Sequence, residues 1–155
     1  MTPGAPEETT LLLLLCQLAA TFYMVGLAWF VQRVHYPLFA RVGAEQFSSY
    51  EQAHVSRTTP VVGPAMLIEA ATALALVGLS PSDLPALLPW LGLGLLAVIW
   101  LSTALLQVPR HRELTSGFDA RAHRRLVATS WIRTGAWSLR GGLVLWMVFR
   151  VGTAA

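Results

Sequence analysis

Long runs of apolar residues, each close to the length that crosses a bilayer, constrain this chain more than any other feature of its sequence. The first run begins at Leu11 and continues past Phe30, and further runs follow it along the chain. A helix needs about 20 predominantly apolar residues to cross the hydrocarbon core of a membrane. Only 12% of the 155 residues are charged, whereas soluble domains carry about 25%. The sequence therefore predicts an all-α integral membrane protein.

The apolar runs predict one domain, residues 1–155, built as a four-transmembrane-helix bundle. The predicted spanning helices cover about residues 9–36, 58–79, 86–108 and 120–151, and a short interfacial helix covers about 44–57. Pro37 and Pro109 are expected to end the first and third helices, because proline disfavours helical geometry in the residue before it. Pro60 suits a first helical turn, Pro64 predicts a kink, and Asp119 is placed to cap the fourth helix.

Arginines are concentrated on one side of the predicted bundle: Arg33, Arg41, Arg57, Arg110, Arg112, Arg121, Arg124, Arg125 and Arg133. The other side carries Glu7, Glu8, Asp83 and Arg150. The positive-inside rule then places the two long basic loops in the cytoplasm and both termini on the outer side of the cell membrane. Orientation and anionic lipid headgroups account for these arginines. The bilayer is therefore the predicted partner, and no nucleic-acid partner is predicted.

Several of the few polar side chains fall on this same basic side. Residues four apart share a helix face, so Tyr50 lies with His54, and Gln107 lies with His111 if the helix continues through Pro109. The candidate catalytic residues are His54, His111, Arg133, Tyr50 and Gln107. His123, which stands among arginines, is expected to face solvent.

Glu69 falls near the middle of the second predicted crossing, and Arg140 falls within the fourth. A charge at mid-bilayer costs about 2.5–3.5 kcal/mol on insertion scales, so such residues usually face the protein interior and pair. One interpretation is a structural ion pair between Glu69 and Arg140 or Arg133. The other is a transition-metal site, since imidazole and carboxylate ligands suit iron, copper or zinc. Its ligands would be His35, His54, Glu69 and His111.

Two short motifs resemble a known family. The segment STALLQVP at residues 102–109 resembles the end of the third helix in the anthrone-oxygenase-like family of small four-helix membrane proteins, where the pattern is Thr-x-x-x-Asn-x-Pro-x-Asn. The segment ATSWIRT at residues 128–134 resembles that family's Trp-Asn-x-x-Arg-Thr segment. Gln107 and His111 stand where the family has asparagines, and Ser130 stands near its asparagine. The resemblance implies a four-helix fold and, from the fungal members, oxidation of anthrones to anthraquinones.

Two functions follow from these patterns. The first is a membrane oxidoreductase or oxygenase, with or without a metal, that acts on a lipophilic aromatic or quinone-like small molecule. Histidine would serve as base or ligand, and arginine would stabilise an enolate or phenolate. The second is a non-catalytic accessory subunit or scaffold, in a homo-oligomer or a larger membrane complex. The first predicts a pocket into which His35, His54 and His111 point together, and the second predicts polar residues that pair and leave no cavity.

Overall fold

The computed structural model describes residues 5–82 and 84–154, with the backbone alone at residues 5–7 and 154. Helices make up this part of the chain and it contains no strand, which confirms the all-α class. Its α-helices are α1 (Ala5–Phe30), α2 (Tyr36–Leu38), α3 (Ala44–Leu79), α4 (Leu87–Ser102), α5 (Val108–Leu114) and α6 (Ala120–Ala154). The predicted domain ends at residues 1–4 and 155, together with Asp83 and the Glu7 side chain, lie outside what is described.

Three helical stretches are long and apolar enough to cross a membrane: Glu8–Arg41, Ala44–Leu79 and Leu87–Leu114. Large apolar side chains on their outer faces, such as Leu67 and Leu105, are exposed and compatible with contact to lipid. Helix α6 is 35 residues long, but arginines interrupt its apolar run and lower its hydropathy. The prediction of membrane-compatible helices is thus confirmed for three of the four.

The first and third predicted helices do not end at their prolines. A π-helical segment, Val31–His35, joins α1 to α2, and a second one, Thr103–Gln107, joins α4 to α5. Each segment ends two residues before a proline, whose ring would clash with the carbonyl four residues back in an α-helix. A wider π turn lets the chain remain helical past such a site. The predicted ends are therefore corrected to Arg41, after the 3-10 turn Phe39–Arg41, and to Leu114.

Helix α3 also differs from its prediction. The expected interfacial helix 44–57 and spanning helix 58–79 form one helix of 36 residues, with Pro60 and Pro64 inside it. The two prolines are four residues apart, so they interrupt hydrogen bonding on one face only. The Thr59 hydroxyl donates a hydrogen bond to the Val55 carbonyl on an adjacent turn.

The long helices pack in a ring, in which α1 and α4 each contact both α3 and α6. Apolar clusters fill the ring at its centre and at both ends. The cluster at one end joins the start of α1 to the end of α6, and includes Leu14, Leu76, Leu84, Val144 and Val151. The cluster at the other end joins α2, the start of α3, the end of α5 and the start of α6, and includes Tyr36, Phe39, Phe47, Leu114 and Leu126. The polar residues of interest lie between this second cluster and the centre.

Candidate functional site

A cavity of about 430 Å³ lies inside the ring, close to the end that carries the basic loops. Its inner walls are apolar and include Met24, Leu27, Val62, Met66 and Trp137. Its other end is polar and includes Tyr36, His54, Gln107, His111 and Arg133. Small-molecule sites usually measure about 300–1,000 Å³ and combine apolar walls with a few polar groups. The cavity therefore has the size and the lining of a site for a lipophilic molecule with one polar end.

Four side chains at the polar end form a continuous hydrogen-bonded chain. Glu51 Oε1 lies 2.5 Å from His111 Nδ1, and His111 Nε2 lies 2.9 Å from the Tyr36 hydroxyl. Arg133 Nη2 donates to the same hydroxyl at 3.2 Å. Because a guanidinium only donates, the Tyr36 oxygen accepts from Arg133 and directs its own hydrogen to His111 Nε2. His111 then carries its hydrogen on Nδ1 and donates it to Glu51.

Aromatic rings shield this chain from water. Glu51 is fully buried, and Tyr36 is only 3% exposed. Phe39 packs against both Tyr36 and His111, with ring centroids 5.5 Å and 6.5 Å apart. A buried carboxylate needs a partner because its desolvation is costly. Glu51 finds that partner in His111, and the hydrogen bond fixes the tautomer and orientation of the imidazole.

Arg133 has unused hydrogen-bonding capacity beside the cavity. Its Nη2 also donates to Ser130 Oγ at 3.2 Å, whereas its buried Nε has no partner. Within the described residues, no carboxylate forms an ion pair with it. Gln107 is held firmly by comparison, since its amide donates to Thr129 Oγ1 and accepts from Ser102 Oγ. The charge of Arg133 therefore remains available to an anionic oxygen in the cavity.

The three histidines of the enzyme hypothesis lie close together, since the ring of His54 is 4.7 Å from that of His35 and 5.3 Å from that of His111 between centroids. His54 and His111 line the cavity, whereas His35 and Tyr50 line a separate groove on the outer face of α1 and α3. His35 Nε2 lies 2.9 Å from His54 Nδ1, at the boundary between the groove and the cavity. Of these three histidines, two line the cavity, while His35 and Tyr50 line the groove beside it.

Glu69 lies deeper in the ring and away from the histidines. Its Oε1 accepts hydrogen bonds from Thr21 at 2.8 Å and from Arg140 Nε at 3.1 Å, and its Oε2 accepts from Trp137 at 3.0 Å. Arg140 also donates to the Gly92 carbonyl. Of the pairings considered for Glu69, the structure has the one with Arg140.

The metal set predicted from the sequence is consequently not assembled. Its carboxylate, Glu69, is already engaged by three donors. Across residues 5–82 and 84–154, no group of three or more His, Cys, Asp or Glu side chains has a geometry that could hold a metal ion. Glu51, the acidic residue of the single E-x-x-H match with His54, instead bonds to His111.

Two residues of the hydrogen-bonded chain, Tyr36 and Glu51, were not among the candidate catalytic residues. Tyr36 precedes Pro37, where a helix end was expected. The chain instead stays helical through the π segment, and Tyr36 faces the interior. His123 was expected to face solvent, but it is buried, and its Nε2 lies 2.7 Å from the Tyr36 carbonyl. The lone E-x-x-H match was the one sequence signal that pointed to Glu51.

No family model, curated protein or solved structure matches the chain significantly. The two motifs that resemble anthrone-oxygenase-like proteins both contribute to the cavity. The first supplies Thr103, Gln107 and Val108, and the second supplies Ser130, Arg133 and Thr134.

Proposed function

We propose that this protein is a multi-pass membrane enzyme that oxidises a lipophilic aromatic substrate through its enolate or phenolate anion. The observation that carries the proposal is the chain Glu51–His111–Tyr36–Arg133 at the polar end of an apolar cavity. A base oriented by a carboxylate, beside a cation that can stabilise an oxyanion, is a general arrangement for proton abstraction.

The proposed reaction begins with proton transfer from the substrate. The Tyr36 oxygen takes the substrate proton as its own proton passes to His111 Nε2, and Glu51 stabilises the imidazolium that forms. Arg133 stabilises the enolate oxygen of the substrate. The enolate then supplies electrons to dioxygen. For a methylene group flanked by aromatic rings, one oxygen atom replaces two hydrogens as a carbonyl, and the other leaves as water.

The proposed setting is the cell membrane, with four spanning helices, both termini outside and the basic loops in the cytoplasm. Two observations support α6 as the fourth spanning helix. It contacts the apolar stretches of α1 and α4 along the ring, and its central Arg140 is fully buried against Glu69. We also propose membership of the anthrone-oxygenase-like family, which the motifs at residues 102–109 and 128–134 support.

Anthrone oxidation by the purified protein in proteoliposomes tests the proposal. We expect anthraquinone to form faster than in protein-free vesicles, which measure spontaneous oxidation. Tyr36→Phe and His111→Gln should each slow the reaction by about 10²-fold or more, the usual contribution of a positioned acid or base. Tyr23→Phe is the matched control, because Tyr23 is half-exposed on the outer face of α1 and does not line the cavity. Equal rates for Tyr36→Phe and Tyr23→Phe would contradict the proposal.

A second candidate function is a non-catalytic accessory subunit or scaffold. One observation favours it: Glu69 of α3 bonds to side chains of α1 and α6, and Arg140 continues the connection to the α4 backbone. This cluster suits a protein whose role is to present a rigid surface in a homo-oligomer or larger complex. Chemical cross-linking in native membranes tests it, with a discrete higher-mass species expected for the wild type and its loss expected for Glu69→Gln.

A further inference from the structure

A groove of about 390 Å³ lies on the outer face of the protein, along the seam between α1 and α3. Phe30 and Val61, both largely exposed, form its outer margins. Each lies within a stretch that is long and apolar enough to cross a membrane. The groove therefore lies on helices that are compatible with contact to lipid.

The groove and the internal cavity share a wall. Four residues line both spaces: Leu27, Val31, His54 and Thr58. A residue that borders both spaces is the full thickness of the wall at that point, so a single layer of side chains separates them. All four side chains are half-buried, and rotation of one or two of them would join the groove to the cavity.

The polar contact across the seam is small. His35 Nε2 and His54 Nδ1, 2.9 Å apart, connect the π segment after α1 to α3, and the Thr58 hydroxyl lies 3.2 Å from the same His54 nitrogen. Within the described residues, His54 Nε2 has no hydrogen-bond partner. Hydrogen bonds therefore hold His54 in the seam at one of its two nitrogens, and its ring also packs against Phe39 and His111, at centroid distances of 5.2 Å and 5.3 Å.

We infer that this seam is a lateral entrance through which a lipophilic phenol or enol passes from the bilayer into the cavity, with the His35–His54 contact as its latch. The inference rests on the proposed function for the chemical class of the ligand. Arg57 and Tyr50 at the groove margin offer donors to the ligand's oxygen while its rings remain in the apolar part. The ligand then moves past His54 toward Tyr36 and Arg133.

Binding kinetics in proteoliposomes test the entrance independently of turnover. The probe is alizarin, a coloured dihydroxyanthraquinone that partitions into bilayers and quenches tryptophan fluorescence, and Trp137 lines the cavity. Val61→Trp fills the groove without altering a cavity residue. We expect it to slow both capture and release by about tenfold, as an added barrier on a gated step would, and to leave the Kd unchanged. Val98→Trp is the matched control, since Val98 is similarly exposed on α4 and lines neither space.

A second variant tests the latch in the opposite direction. His35→Ala should speed both capture and release of alizarin, because it removes the latch. The Kd should stay unchanged, because His35 borders the groove and not the cavity. At constant total alizarin, the wild-type capture rate should fall as protein-free lipid is added, in proportion to the probe's mole fraction in the membrane.

Two results would overturn the inference, and they are distinguishable. Suppose that quenching is saturable and that alizarin is captured and released at the same rates by Val61→Trp, His35→Ala and Val98→Trp. That result would contradict the entrance and still support the cavity as a binding site. Absence of saturable quenching in the wild type would remove the proposed cavity ligand and the entrance together. Altered rates with unchanged Kd, in a protein that does not oxidise anthrone, would support the entrance and remove only the catalytic step.

Discussion

Glu51 sets the electrostatic state of the proposed base, because its carboxylate is fully buried and accepts a 2.5 Å hydrogen bond from His111. Its second oxygen, Oε2, has no hydrogen-bond partner in the part of the chain that the structure describes. The negative charge is therefore directed at one imidazole. Without it, His111 loses the group that fixes its tautomer and stabilises its protonated form.

Glu51→Gln should reduce anthrone oxidation by about 10²-fold, since it removes the charge and keeps the side-chain shape. The measurement is the rate of anthraquinone formation, with protein folding checked by circular dichroism. Glu113→Gln is the control, because Glu113 is an exposed carboxylate that pairs with Arg110. A rate for Glu51→Gln that equals the rate for Glu113→Gln would show that the buried carboxylate has no catalytic role.

The Glu69–Arg140 pair predicts a large effect on stability. Removing one partner of a buried ion pair costs about 3–5 kcal/mol, because the other charge is left uncompensated. Arg140→Met should therefore lower the thermal midpoint strongly in detergent. The double variant Glu69→Leu with Arg140→Met should cost less than the sum of its single changes. Arg110→Met, which breaks an exposed pair, should cost no more than about 1 kcal/mol. If the double variant loses as much stability as the two single variants together, Glu69 and Arg140 are not directly coupled.

Residue types alone identified four members of the cavity's polar end. His54, Gln107, His111 and Arg133 stand out because polar side chains are rare in an apolar chain, and all four line the cavity. Tyr36 and Glu51 could not be found in this way, since their roles depend on how α2 and α3 are rotated. The π segment Val31–His35 sets the rotation of α2, and no residue pattern in the sequence predicted that segment.

At the scale of elements, the start of α6 is the one predicted cap that the structure confirms directly. Asp119 Oδ1 accepts a hydrogen bond from the Ala122 backbone amide at 2.6 Å. That hydrogen bond lowers the pKa of Asp119 below its ordinary value. Because the folded-state pKa is lowered, the cap's contribution to stability is present above the unfolded-state pKa and is lost as the pH falls through the folded-state value.

Asp119→Ala should therefore lower the thermal midpoint at neutral pH, and the difference from wild type should shrink as the pH falls below about 4. Thermal unfolding in detergent across this pH range is the measurement. Asp119→Asn is the matched control, because asparagine caps a helix without a charge. If the thermal midpoint of Asp119→Ala stays below that of the wild type by the same amount down to the lowest pH, Asp119 does not act as a charged cap of α6.

Helix boundaries show where sequence reasoning reached its limit at this scale. Apolar periodicity and length predicted helices, since a chain this apolar satisfies its backbone groups internally by that means. Pro37 and Pro109 predicted helix ends that the structure does not have, and Pro60, which was predicted in a first helical turn, lies inside α3. Proline opposes the α-helical hydrogen bond at one turn, and a neighbouring π turn or an intact opposite face is enough to keep the chain helical.

At the scale of the whole molecule, the proposed orientation can be tested with cysteine labelling. Cys16 is the sole cysteine of the chain, so Cys16→Ser provides a cysteine-free background. In intact cells, a membrane-impermeant maleimide should label Thr153→Cys near the end of α6. It should label Ser116→Cys, in the loop between α5 and α6, only after the membrane is permeabilised. The reverse pattern would invert the proposed topology, and labelling of both sites in intact cells would contradict a membrane crossing by α6.

The full burial of Arg140 against Glu69 has a consequence for biosynthesis. Segments leaving the translocon are accepted by the bilayer according to how apolar they are, and a central arginine weighs against α6. Its partner carboxylate is synthesised first, since Glu69 precedes Arg140 by 71 residues. Helix α3 would therefore hold an unneutralised acid in the membrane until α6 arrives, and α6 would become acceptable to the membrane only beside that acid. In the proposed four-helix topology, α6 would thus be inserted as a partner of α3, and a chain truncated before Arg140 would expose Glu69 to membrane quality control.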